Sequence, residues 1–298
     1  MQIYKRLADI TVVPIIKEVA KYVVAKPFEL SQPMKVVQLH ESAFAPKGNW
    51  TRAQTILAFH FYCQTQFGQL HSRNRKIIEL AAVIGRTPSA LAMKCVNIAS
   101  LDPAIRESGR TGLSNASVLD REIWEEFHGN WEGLVEQAEA LLQRVGLSQL
   151  SQANDDELND MDFTGEMRVV LVKRRIKQDF FRRSVLSSYS GKCCISGVSD
   201  SRFLVASHIV AWKDDVTIRL NPANGLCLSV IHDKAFDKNL FSLTDDHRII
   251  LSKQLQETND QFLRDVFWKL NDTTIELPEK FVPEPEFLAR HRKKMLAN

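Results

Sequence analysis

Three residues of the 298-residue chain stand where their types could do chemistry: His208 at the end of an apolar run, Asn224 directly before Gly225, and His232, followed closely by Asp233 and Asp237. Imidazole takes and gives protons near neutral pH, and an asparagine amide donates and accepts hydrogen bonds at once. Each also has an ordinary structural reading. His208 could be a half-buried histidine with its bonds satisfied, Asn224 the residue any tight turn selects, and His232 a helix-start residue. A second feature points to phosphate. Six acids and no base lie between Asp155 and Glu166, whereas Arg168 to Arg183 carries seven bases and one acid. Such clustering, more than the net charge of +3, suits a surface that faces a polyanion.

The elements around these residues are mixed. Short β-rich runs (203–205, 226–230, 240–243) alternate with turn signals at Asn221, Pro222, Asn224 and Gly225, so strands and a short helix must position the two histidines and the asparagine. The basic segment reads as a helix that turns Val170, Leu171, Phe180, Phe181 and Val185 to the core. Arg174, Arg175, Lys177, Arg182 and Arg183 then face outward, where they would neutralise backbone phosphates. A solvated charged face is the plain alternative. Arg290 to Lys294 could add phosphate contacts or form a loose tail.

The N-terminal half reads helical. Ile15 to Val24 forms an apolar stripe closed by Pro27, covered by the chain's own core or by a second copy. Helices are expected at 52–66 and 73–84, then a turn at 85–87 and a third helix opening at Pro88, with Thr87 as its cap. That is a helix-turn-helix arrangement, which would expose Ser89, Met93, Lys94 and Asn97 to DNA; a plain helical hairpin is the alternative. Ser117 and Asp120 form a capping box, and a helix follows from Trp131 to Val145. The loop from Arg106 to Asn115 reads as a surface connection. The Ser-, Asn- and Asp-rich stretch 147–166 reads as a linker between a helical domain at 1–146 and a second domain at 167–298, an α+β chain overall.

Three blocks carry a resemblance: ASHIVAW at 206–212, NPANGLCL at 221–228 and HDKAFDKNLFSL at 232–243, with a lead-in of Tyr189, Gly191, Lys192, Cys194, Ser196 and Gly197. They resemble the HNH, or ββα-metal, endonucleases, specifically a restriction-type variant that begins with a basic helix. The helical region from Trp50 to Phe127 is similar to the N-terminal extension of such proteins. The resemblance implies hydrolysis of DNA phosphodiesters, with His208 as general base, Asn224 orienting its ring through the side-chain amide, and His232 ligating a divalent ion. Magnesium is expected, with manganese the alternative. Many relatives carry Asp or His directly before the base as a second ligand. Here that position is Ser207, a poor ligand for a hard cation, so Asp237 is the expected substitute and Asp233 the next. Asn239 stands where this variant often has Gly, and Asn tolerates a left-handed backbone.

Composition narrows the remaining classes. Five cysteines, with Cys193 and Cys194 adjacent and Cys227 isolated, make neither a disulfide framework nor a zinc cage. No stretch is long and apolar enough for a bilayer or a secretory leader, and no Gly-rich phosphate loop appears; a cytoplasmic protein is expected. The implied activity is DNA nicking or restriction-type cleavage leaving 5′ phosphate and 3′ hydroxyl ends, in defence against foreign DNA. A double-strand break would need a homodimer or two visits, and defence-system partner proteins are conceivable. The rival readings are a DNA-binding or partner-recruiting module with an idle site, and a nuclease subunit acting on RNA or only within a complex.

Overall fold

Thr51 accepts a hydrogen bond from the Gln54 amide while Gln54 answers to the Thr51 amide, a reciprocal cap that starts the first of the described helices in the computed structural model. The structure describes residues 48–107, 115–146 and 165–297. The stripe at Ile15–Val24, most of the 106–115 loop and all but the last two residues of the expected linker lie outside them. Helix α1 spans Arg52–Cys63, α2 Arg75–Val83, α3 Pro88–Ala99, α4 Pro103–Glu107, α5 Val118–His128 and α6 Trp131–Arg144. The expected caps are present: Thr87 Oγ1 accepts from Ala90 N, with Pro88 in the first turn of α3, and Ser117 and Asp120 close a capping box on α5.

Two packed helices joined by a short turn therefore form, as either reading requires, but the chemistry of the second differs from the expectation. Lys94 is buried, with its ammonium 2.7 Å from Asp120 and over the Trp50 ring. Asn97 is half-buried, its side-chain carbonyl shut from solvent. Neither side chain reaches outward to a phosphate or a base edge. Helix packing took them because α3 is wedged between α1, α2 and α5, which leaves Ser89 and Met93 as its exposed face.

Helix α7, Gly165–Ser188, runs from this helical layer into the strands. Val170 is 65% exposed and Leu171 half-buried, so only the later turns, with Phe180, Phe181 and Val185, enter the core as expected. Strands β1, Leu204–His208, and β2, Gly225–Ser229, pair antiparallel, and α8, Val230–Asp237, packs across both. Strands β3, Phe241–Leu243, and β4, Ile249–Leu251, form a second ribbon. Helices α9 Lys253–Gln256, α10 Gln261–Phe267 and α11 Pro285–Leu296 follow. The fold is α+β, and one apolar core continues from Phe59, Tyr62 and Trp131 through Phe180 and Phe181 to Leu226, Leu228 and Phe236. Lys280 stitches it: the fully buried ammonium donates to the carbonyls of Tyr62 (2.5 Å), Cys63 (2.8 Å) and Thr65 (2.8 Å) at the end of α1, where a helix leaves acceptors unmet. Burial pulls its pKa down to about 8.

The segment expected as a tail is helix α11. Arg290 pairs with Asp215 at 2.9 Å, Arg292 with Asp245 at 2.7 Å, and Lys294 with Asp214. These cations hold the chain's own loops rather than phosphate.

Candidate active site

The antiparallel register sets His208 opposite Gly225, next to Asn224. Gly225 has an extended backbone, φ −133°, so it is not there for a left-handed turn. A Cβ at that position would sit 2.3 Å from Val185 Cγ2 and 3.0 Å from Phe181 Cζ. Glycine lets β2 lie directly on α7, and the same close approach makes α7 the platform of the site.

On that platform the His208 ring stacks flat on Phe181, centroids 3.7 Å apart and planes 9° apart. Trp212 meets it edge-on at 5.6 Å. His208 Nε2 lies 3.0 Å from the Arg219 carbonyl. A carbonyl can only accept, so Nε2 carries the hydrogen and Nδ1 keeps its lone pair. Burial lowers the imidazole pKa, partly offset by the Arg219 carbonyl and the Asp237 charge. The ring is thus fixed in one tautomer and favours the neutral, proton-accepting form.

Asn224 does not touch that ring. Its fully buried amide accepts from Val210 N at 2.8 Å and donates to the carbonyls of Val210 at 3.0 Å and Ile218 at 3.5 Å. It ties together both ends of the loop that follows β1, and Arg219, directly after Ile218, receives the His208 hydrogen. The expectation of direct orientation is corrected: Asn224 acts on the backbone.

The expected metal ligand His232 sits at the edge of the core. It is 5% exposed, with Nδ1 2.8 Å from Ser229 Oγ and 3.6 Å from Cys193 Sγ, and its ring stands edge-on to Phe267. Burial would raise the Cys193 thiol, but hydrogen bonds from His232 and Ser196 hold it at about 6. A helix advances about 100° per residue, so when His232 points inward its neighbour Asp233 turns toward β1. Asp233 and Asp237, four apart, share that face. The Asp233 carboxyl is raised by burial and by the Asp237 charge, with Ser207 and Lys234 opposing. The Ser207 hydroxyl is buried and lies toward Asp233 without closing a hydrogen bond of ordinary geometry.

These two carboxylates are what a divalent ion would find here. Neither forms an ion pair with a base among the described residues, and their mutual repulsion is the kind a cation relieves. Hard oxygen donors suit magnesium or manganese. Among the described residues no three His, Cys, Asp or Glu side chains gather as a complete ligand set. The protein would thus supply two carboxylates, with water and phosphate oxygens completing the shell, which is the usual manner of magnesium.

Beside His208 opens a cavity of about 550 Å³ bordered by Arg174, Gln178, Arg182, Trp212 and Lys213. The basic helix divides accordingly. Arg174 and Arg182 border the cleft, Arg182 also donating to the Leu204 carbonyl at 3.0 Å, and Arg175 is exposed. Lys177 is taken by Glu132 and Glu136 of α6, and Arg183 pairs with Asp179 at 2.9 Å and faces the helical layer beside His60. Lys177 therefore departs from the expected phosphate role: its acidic partners stand on another helix, invisible to a reading of α7 alone. Lys213, adjacent to the ASHIVAW block, and the carbonyl of Arg219 are the functional groups the sequence did not disclose. A backbone acceptor carries no residue signal.

No helix among the described residues is long and apolar enough to cross a membrane. No curated protein matches the chain. A family model described as HNH endonuclease matches residues 193–244, which span His208, Asn224, the loop between them and all of α8. Both strands, the helix across them and His208 lie in one matched stretch, and this segment of the chain is similar to the HNH endonuclease family.

Proposed function

We propose that the chain is a divalent-metal-dependent endonuclease that hydrolyses DNA phosphodiesters. The observation that carries this reading is the tautomer of His208: its Nε2 hydrogen is committed to the Arg219 carbonyl, which leaves Nδ1 to take a proton from water beside a cleft bordered by Arg174, Arg182 and Lys213. These cations hold the phosphate so that the attacking water stands in line with the leaving 3′ oxygen. His208 accepts the water's proton as the new P–O bond forms. A divalent ion at Asp233 and Asp237 supplies, when bound, positive charge for the phosphate and the departing oxygen. Asn224 keeps the loop in place. The ends left would be 5′ phosphate and 3′ hydroxyl, one strand per encounter, and restriction or defence against foreign DNA is the setting we infer from the family resemblance.

The test compares supercoiled plasmid and matched RNA with magnesium, with manganese and with chelator. Plasmid should be nicked only with metal, and Asp237→Asn combined with Asp233→Asn should raise the metal concentration needed at least tenfold. Chelator-resistant cleavage, or preference for RNA, would overturn the reading. Metal-independent DNA binding with no cleavage would favour the idle-site reading, which the serine at 207 keeps open.

A further inference from the structure

We propose that Glu132, on α6 and outside the family-matched segment, is a positioning residue for His208 that acts through Arg219. Glu132 Oε1 accepts from the Arg219 guanidinium at 2.8 Å. The same arginine offers its backbone carbonyl to His208 Nε2 at 3.0 Å. Its guanidinium also lies 5.1 Å from the centre of the Trp212 ring, and Trp212 meets His208 edge-on. One residue thus joins the helical layer, the indole beside the base and the acceptor that selects the base's tautomer.

The loop from 209 to 219 belongs to no strand or α-helix, so its carbonyls stay in place only if its ends and middle are tied. Asn224 ties Val210 and Ile218, and α11 ties Asp214 and Asp215. Glu132 ties the Arg219 side chain. Lys177 in turn fixes Glu132 from α7. Burial would raise the Glu132 carboxyl, but hydrogen bonds from Lys177 and Arg219 hold it below the usual carboxylate range, so it stands ready as an anion. Without it, the Arg219 end of the loop is held less firmly, the carbonyl leaves Nε2 for part of the time, and the Nδ1–H tautomer, which has no lone pair at Nδ1 to take the water's proton, gains population. This rests on His208 as the general base, and it gives the helical layer a part in the chemistry.

Two readouts on the full chain separate the inference from the nuclease reading. Nitrogen-15 spectra of the histidines without substrate should place wild-type His208 in the Nε2–H form. Glu132→Gln, which keeps the side chain's shape, and Arg219→Met, which keeps the aliphatic stem without the charge, should each raise the Nδ1–H population. Plasmid nicking should slow by about 10- to 100-fold in each with little change in KM, and the double variant should be no worse than the more impaired single. An unmoved tautomer in Glu132→Gln, or rate losses that multiply in the double variant, would overturn the proposal. Because the tautomer is read without DNA, a wild type that cuts nothing would refute the nuclease reading while the spectra still decide this one.

Discussion

Among the residues of the site, a few atoms decide whether a histidine can serve as a base. His208 was legible because it closes a strand within a patterned block. Its tautomer was not, because that depends on a backbone oxygen of the loop. For His232 the letters suggest a ligand; the helix turns its Nδ1 to Ser229 and Cys193, and the next residue, Asp233, lies toward Ser207. A direct consequence concerns acidity. The base must be neutral to work, and burial lowers its pKa, so protonation silences it only below the ordinary imidazole value of about 6.5. The acid limb of the cleavage profile should therefore be centred below that value. A limb centred above it would mean that another group titrates or that His208 is less buried than described.

Elements explain why the site needed glycine and asparagine side by side. In the sequence that pair reads as a turn; in the structure Gly225 is the gap through which Phe181 and Val185 approach β2. The capping box of α5, the turn before α3 and the strands around the site were readable from local chemistry, since caps and alternation depend on neighbours in sequence. Ribbon β3–β4 was only half anticipated, and Lys94 was assigned outward, because its burial depends on Asp120, 26 residues later. Asn239, by contrast, adopts the left-handed conformation expected of it, φ 55°. Gly225→Ala should push against β-branched Val185, which cannot swing aside, and cost about 1–3 kcal/mol of stability. Chemical denaturation checks this. A variant as stable as wild type would show that α7 and β2 separate easily, and the stacked Phe181 would then be a poor platform.

At the scale of the molecule, the helical layer and the matched segment share one core; Lys280 ties a later segment to the end of α1, and the buried rings of His60 and His291 stack on Phe180 of α7 and Phe236 of α8. Such pairings join residues far apart in the chain, which is why no local pattern announced them. Burial holds both His60 and His291 at about 4. In the unfolded chain each would titrate near about 6.5, so between those values the unfolded state binds the extra proton. Stability present above pH 6.5 is lost as the pH falls through 4, by on the order of 3 kcal/mol for each histidine. Melting temperature should fall steeply between pH 6.5 and 4; a flat profile would contradict the burial of both rings. Whether the His208 imidazole is the base is decided by single-turnover nicking of supercoiled plasmid in saturating magnesium, wild type against His208→Ala, with plasmid binding measured alongside. The variant should bind DNA like wild type and nick at least about a hundredfold more slowly; equal rates in the two proteins would rule His208 out as the base.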